Sequence, residues 1–292
     1  MAARSLEPPL VVIVGPTASG KTSLAIEVAE HFGGEIICAD SRTIYKGMNI
    51  GTAKPTHEER TRVPHYGLDL IEPGERFSAA DFKRYANKKI AEIRERGRVP
   101  LLVGGTGLYI DAVLFDYQFG VEADSKQRAE FEAMTLEELH DYCIENNVSL
   151  PENSLNKRYV IRAIEQKGVS VKRSAKPIDN SFIVGITTDR EVLRNRISKR
   201  IEQLFDDGVV DEATMLSKKY GWNNEAMTGN IYRLIRSYLE GEQTLEEIKV
   251  KATTADWRLA KRQITWLKRN HAIHWLDPIE ARNYLFRLLA KQ

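Results

Sequence analysis

A chain of 292 residues, 42% hydrophobic and 29% charged, has the composition of an ordinary globular protein and the length for one large domain or two smaller ones. No apolar run reaches about 18 residues, so no membrane span is expected, and residues 1–9, with Arg4 and Glu7, lack the apolar segment of a secretory signal. Cys38 and Cys143 have neither metal-site spacing nor disulfide density, so a reducing cytoplasm is the expected setting.

The apolar run 10–14 breaks into Gly15-Pro16-Thr17-Ala18-Ser19-Gly20-Lys21-Thr22 and then into an amphipathic helix starting near Lys21, with Leu24, Ala25, Val28 and Ala29 on one face. This is G-x-x-x-x-G-K-[ST] between a strand and a helix, the context that a phosphate-binding loop requires. Its backbone N–H groups curl round a diphosphate, Lys21 reaches the terminal phosphates, and the Thr22 hydroxyl can ligate Mg²⁺. Kinases and NTPases share the loop, so ATP-binding is open to it as well, and the function has to come from what surrounds it.

Residues 35–39 read as a second buried strand ending in Asp40-Ser41, and residues 46–73, rich in Gly, Pro and His, as an irregular stretch. Ser78 and Asp81 have capping-box spacing and open a helix with Phe82, Tyr85, Ile90 and Ile93 facing inward and Gly97 closing it. Residues 99–103 are a third strand, leading into Gly104-Gly105-Thr106-Gly107 and a helix through Leu114. Buried strands alternating with helices predict an α/β fold: a P-loop NTPase-like parallel sheet flanked by helices. The alternation stops near Tyr117. Residues 118–180 read as a helical insertion, with a helix over 155–167 stopped by Gly168, between two parts of one core, 1–117 and 181–292. Beyond it the pattern predicts a returning strand over 182–187, helices over 190–205, 210–220, 231–240 and 245–269, a short strand 274–276 and a last helix.

The net charge of +2 is unevenly spread. Residues 156–176 carry Lys157, Arg158, Arg162, Lys167, Lys172, Arg173 and Lys176 against Glu165 alone, whereas residues 122–141, from Glu122 to Asp141, are strongly acidic. Arg258, Lys261, Arg262, Lys268 and Arg269 form a second basic tract. Such clusters fit a polyanion such as tRNA, and equally a solvated helix face.

In an open parallel sheet, ligands sit at the C-terminal ends of the strands. The phosphate loop, Asp40 and Thr106 each directly follow a strand and should converge on one cleft. Asp40 can cap the next turn; facing a diphosphate, it can take a proton from an attacking nucleophile or serve a metal. Thr106 can cap a helix or donate to a leaving oxygen. The strand 101–103 ends in Gly104 instead of the acid that P-loop kinases and hydrolases place there for magnesium, which disfavours a simple NTPase.

These segments resemble the tRNA dimethylallyltransferases (tRNA isopentenyltransferases) over nearly the whole chain. The resemblance is carried by residues 15–22, by Asp40-Ser41, Ile44-Tyr45-Lys46-Gly47-Met48 and Ile50-Gly51-Thr52-Ala53-Lys54-Pro55, and by Leu102-Val103-Gly104-Gly105-Thr106-Gly107-Leu108-Tyr109. Further matches lie at residues 78–82, 162–165, 237–241 and 260–266. The family implies transfer of a dimethylallyl group from dimethylallyl diphosphate, with Mg²⁺, to the exocyclic amine of the tRNA adenosine at position 37, just 3′ of the anticodon. In this chain Asp40 would be the general base and Thr106 a donor to the bridging oxygen. Asp40, Ser41, Arg42 and Thr43 would meet the target base and its neighbours. Arg128, Arg158, Arg162, Arg258, Lys261, Arg262 and Gln263 would face the anticodon arm, the insertion contributing part of that grip. The chain departs from the family at Thr228-Gly229-Asn230-Ile231-Tyr232, where an arginine followed three residues on by Gly-Tyr is usual, and at Tyr159, where a second arginine precedes Arg162. Alternatives are a prenyltransferase acting on free adenine nucleotides, an ATP-dependent small-molecule kinase, and a tRNA-binding protein that has lost catalysis. Nothing demands a second subunit, and a monomer is the expectation.

Overall fold

The computed structural model describes residues 7–120, 124–167 and 172–291. The chain forms two compact units, Met1–Leu114 with Pro177–Gln292, and Phe115–Lys176. In chain order the first unit begins β1 Leu10–Val14, α1 Lys21–Phe32, β2 Gly34–Ala39, α2 His57–Arg62, β3 His65–Tyr66, α3 Ala79–Glu95, β4 Val99–Gly104 and α4 Gly107–Leu114. The second unit contributes α5 Ser125–Ala133, α6 Leu136–Glu145 and α7 Lys157–Glu165. The first resumes with β5 Ser181–Ile186, α8 Arg190–Asp206, α9 Val209–Tyr220, α10 Asn230–Leu239, α11 Leu245–Leu267, β6 His274–Leu276 and α12 Pro278–Leu289.

The sheet is parallel throughout, in the order β3-β2-β4-β1-β5-β6. β1 and β2 are buried along their whole length, as the apolar runs require when helices cover both faces. Alternation assigns the faces: Val11, Ile13, Leu101 and Val103 pack with Leu24, Val28, Ala281 and Leu285 of α1 and α12, while α3 and α4 cover the other side of β4. Register decides where the loops emerge. Val14 pairs with Gly104, and Gly104 with Ala39, so β1, β4 and β2 end level and release their loops at one edge.

The stretch 46–73 is more ordered than its composition suggests. Thr56 and Glu59 form a capping box that starts α2, and His65 and Tyr66 add a two-residue edge strand to β2. A strand that short has no periodicity to read. A layer built from α8 to α11 lies under Ile44, Tyr45 and Met48, with Ile201, Leu204, Leu216, Tyr232 and Ile248 in one cluster.

The second unit opens and closes a few residues earlier than the span 118–180. Ser174 N–H donates to the Phe115 carbonyl, and Gln118 N–H to that of Lys172, both at 2.8 Å, tying its two ends together. Its core is Phe131, Leu139, Cys143, Val160, Ile161 and Ile164. The helix read as 155–167 is trimmed by Asn156, whose side chain caps α7; Gly168 lies outside the described residues, as does Glu122 of the acidic stretch. Among the described residues no helix is long and apolar enough to cross a membrane.

Candidate active site

Residues 15–22 join β1 to α1 as a tight loop in which Ala18 and Gly20 take left-handed backbone angles, φ 61° and 90°. Successive turns of that kind aim amide hydrogens inward, and the uncapped start of α1 adds its own free N–H groups. Lys21 Nζ donates to the Pro16 carbonyl at 3.1 Å. Desolvation pulls the Lys21 ammonium down to about 8, with Asp40 opposing and Arg200 reinforcing the shift. Two arginines of α8 reach the same loop: Arg196 Nη1 donates to the Ser19 carbonyl at 3.4 Å, and Arg200 Nη1 to the Thr17 hydroxyl. Arg200 Nε and Ser19 Oγ are buried there without partners. These two arginines escaped the sequence reading, because α8 is rich in charge and nothing in its spacing distinguishes a loop-facing arginine from a solvated one.

The ends of β2 and β4 bring Asp40 and Thr106 together. Thr106 N–H donates to the Ala39 carbonyl at 3.2 Å, and Ser41 N–H to Thr106 Oγ1 at 3.1 Å. Asp40 Oδ1 accepts from Arg42 N–H at 2.8 Å. Thr43 donates through its hydroxyl to the Asp40 carbonyl, at 3.3 Å, and Arg42 Nη1 to the Glu225 carbonyl at 3.4 Å. A Cβ at Gly104 would sit 2.1 Å from the Ala39 carbonyl oxygen, so no acid can stand at the end of β4. The missing magnesium acid is therefore a packing requirement of the strand.

Two buried charges hold the segment after Asp40. The Glu212 carboxylate accepts from the backbone N–H groups of Asn49, Ile50 and Gly51 at 2.7, 2.7 and 2.8 Å and from the Tyr232 hydroxyl at 2.8 Å. Lys54 Nζ donates to the Tyr45 carbonyl at 2.5 Å, to Asn49 Oδ1 at 3.2 Å and to Asp69 at 2.6 Å. Burial lowers the Lys54 pKa, and Asp69 works against that shift. Tyr232, inside the segment that departs from the family pattern, thus serves the core, whereas Thr228 is exposed.

The residues placed at an RNA by resemblance separate into groups. Arg258, Lys261 and Arg262 are exposed on α11. Beside them Arg190, Arg194 and Lys261 lie 5.7, 5.7 and 5.9 Å from the ring of Trp257. Gln263 points elsewhere, its Oε1 accepting from Thr17 N–H at 2.9 Å. Trp266 donates from Nε1 to Asp111 at 2.7 Å. Within the second unit Arg128 pairs with Glu132 and with Glu165, the latter at 2.8 Å, and Arg162 also reaches Glu165 at 3.2 Å. Arg158 and Tyr159 are exposed on α7.

Mg²⁺ prefers one or two protein oxygens together with substrate phosphates and water to an all-protein cage. Residues 15–22 fit that preference, with the Thr22 hydroxyl following Lys21 at the start of α1.

The profile of the IPP transferase family matches residues 43–270. The match begins after residues 15–22 and Asp40. The tRNA dimethylallyltransferase of Bacillus licheniformis is 40% identical over 286 residues, covering 93% of this chain and 91% of that protein. The crystal structure of the full-length tRNA isopentenylpyrophosphate transferase from Bacillus halodurans superposes with a TM-score of 0.74 at 37% identity, covering 98% of each chain. A eukaryotic dimethylallyltransferase acting on tRNA shares the fold, with a TM-score of 0.76 at 23% identity over 93% of this chain and 74% of its own. The chain is a transferase and belongs to the IPP transferase family, that of the tRNA dimethylallyltransferases.

Proposed function

We propose that this protein transfers the dimethylallyl group of dimethylallyl diphosphate to the exocyclic amine of adenosine 37 in tRNA. The observation that carries the reading is the convergence of the phosphate loop, Asp40 and Thr106 at the level ends of β1, β2 and β4. An adenine amine is a weak nucleophile whose lone pair is delocalised into the ring, and it becomes acidic as the new bond forms. The C–O bond of the donor breaks, the N–C bond forms, and the amine proton passes to Asp40. Oδ1 of Asp40 is engaged by Arg42 N–H, which leaves Oδ2 to receive that proton.

Diphosphate departs with the bridging electron pair. The loop amides, Lys21, Arg200 and the Thr106 hydroxyl oppose the charge that develops. Thr22 would hold Mg²⁺ together with the donor phosphates, and the ion would supply further neutralisation. Arg200 and Arg196 offer the cationic character that the chain lacks at Thr228. The adenosine leaves the anticodon loop to reach the cleft, with Arg258, Lys261 and Arg262, and Arg158 of the insertion, gripping the anticodon arm. Action as a cytoplasmic monomer belongs to the same proposal.

The test is transfer from radiolabelled dimethylallyl diphosphate, with Mg²⁺, to an anticodon stem-loop carrying adenosine 3′ of the anticodon, in parallel with free adenosine monophosphate. Label in the stem-loop alone is expected. Label in the free nucleotide would favour a small-molecule prenyltransferase, and a stem-loop bound but unlabelled would sink the catalytic reading.

A further inference from the structure

The phosphate loop is obstructed at one end. The Thr17 amide, which a bound phosphate could engage, already donates to Gln263 Oε1 at 2.9 Å. The Ser19 amide is turned back onto the Pro16 carbonyl at 3.3 Å, and the Thr17 hydroxyl oxygen accepts from Arg200. The open backbone amides are therefore concentrated at the α1 end. Lys21 marks the opposite limit: in loops of this kind the lysine reaches the outermost phosphates, and here its ammonium rests on the Pro16 carbonyl, one residue before the obstructed amide.

The Gln263 carboxamide sits between Gly105 and the loop: its Oε1 accepts from Thr17 N–H, and a Cβ at Gly105 would lie 2.4 Å from its Nε2. Its helix is seated on the same loop, with Ala260, Ile264 and Trp257 packed with Ala18. A carbonyl oxygen at this point offers a third phosphate no donor and faces it with like partial charge.

We propose that Gln263 is a specificity-determining residue: it shortens the cradle to two phosphates, so the loop accepts diphosphates and rejects triphosphates such as ATP. This deepens the functional proposal and rests on its reading of residues 15–22 as the seat of the donor's diphosphate. Gln263 then acts on the ligand directly, in contrast to its neighbours Lys261 and Arg262, which face solvent.

The experiment is calorimetric titration of the full chain, with Mg²⁺, against inorganic diphosphate, inorganic triphosphate and ATP. Wild type is expected to bind diphosphate at least about tenfold more tightly than triphosphate. Gln263→Ala should shrink that ratio by about tenfold, the order expected for one buried acceptor, while diphosphate affinity moves by less than about threefold. Gln263→Glu keeps an acceptor at the Thr17 amide and adds a charge, so it should reject triphosphate at least as strongly as wild type. In the transfer assay, ATP should inhibit Gln263→Ala at about tenfold lower concentration than wild type. A merely structural role would weaken all three ligands together. The proposal is overturned if the ratio is the same in wild type and Gln263→Ala, or if wild type binds triphosphate as well as diphosphate. If wild type binds no diphosphate, the reading of the loop falls with it; if diphosphate binds and only the ratio fails, that reading survives.

Discussion

Ser41 N–H donates to the Thr106 hydroxyl oxygen at 3.1 Å, joining the residue after the proposed base to the proposed oxygen donor across the ends of two adjacent strands. The bond occupies Thr106 as an acceptor and leaves its hydroxyl able to donate. Thr106→Ser should keep most of the turnover, and Thr106→Val should lower kcat by about 10²- to 10³-fold with little change in donor KM. A loss in Thr106→Ser with none in Thr106→Val would place the methyl group, not the hydroxyl, at the root of the effect.

Asp40→Asn keeps the size of the side chain and an oxygen for Arg42 N–H, but it cannot accept the amine proton. Turnover should fall by about 10²- to 10⁴-fold while the stem-loop still binds. Full turnover with unchanged folding and RNA affinity would exclude Asp40 as the base.

Lys21 gives the reaction a pH limb. Its folded pKa of about 8 lies below the ordinary 10.5, so the donor-free protein loses this positive charge as pH rises through about 8. The kcat/KM for the donor should therefore fall above about pH 8, whereas kcat should be flatter there, since bound diphosphate holds the proton on. Lys21→Arg should abolish the limb whatever it does to the rate. Between about 8 and 10.5 the unfolded chain binds more protons at this residue than the folded one, so this group raises stability with pH across that window.

Glu212 satisfies three backbone amides and the Tyr232 hydroxyl at once. Its removal strands buried donors. Glu212→Ala should cost about 3 kcal/mol in urea denaturation, and Tyr232→Phe about 1 kcal/mol. A loss below about 1 kcal/mol for Glu212→Ala would mean that water replaces the carboxylate.

Arg258, Lys261 and Arg262 are exposed, so their contribution to RNA binding should be electrostatic. Each change to Gln is expected to reduce the slope of log K against log salt for the stem-loop by about 1. Arg128 and Arg162, shared with Glu165, should change it less. Unchanged slopes for all three α11 variants would remove this helix from the interface.

The strands, most helices and the tight turn of residues 15–22 between β1 and α1 were legible in the amino-acid order because each rests on local physics. A buried parallel strand demands an unbroken apolar run, as at residues 10–14, and a cap such as Ser78 with Asp81 closes within four residues. The two-residue β3 lacked that signal, since an edge pairing is decided by β2, whereas the Thr56–Glu59 capping box of α2 is present in the spacing but sits in a stretch whose Gly, Pro and His content reads as irregular. That Asp40 and Thr106 lie close followed from both standing at strand ends; the bond through Ser41 needed the register of β2 on β4. Tertiary structure alone decided which charges matter. Nothing within α8 separates Arg200 from Arg194, or within α11 Gln263 from Arg262, yet one of each pair meets the phosphate loop and the other does not. The reason is distance along the chain: Thr17 lies 183 residues from Arg200 and 246 from Gln263, and contacts that remote are set by how helices seat on the sheet.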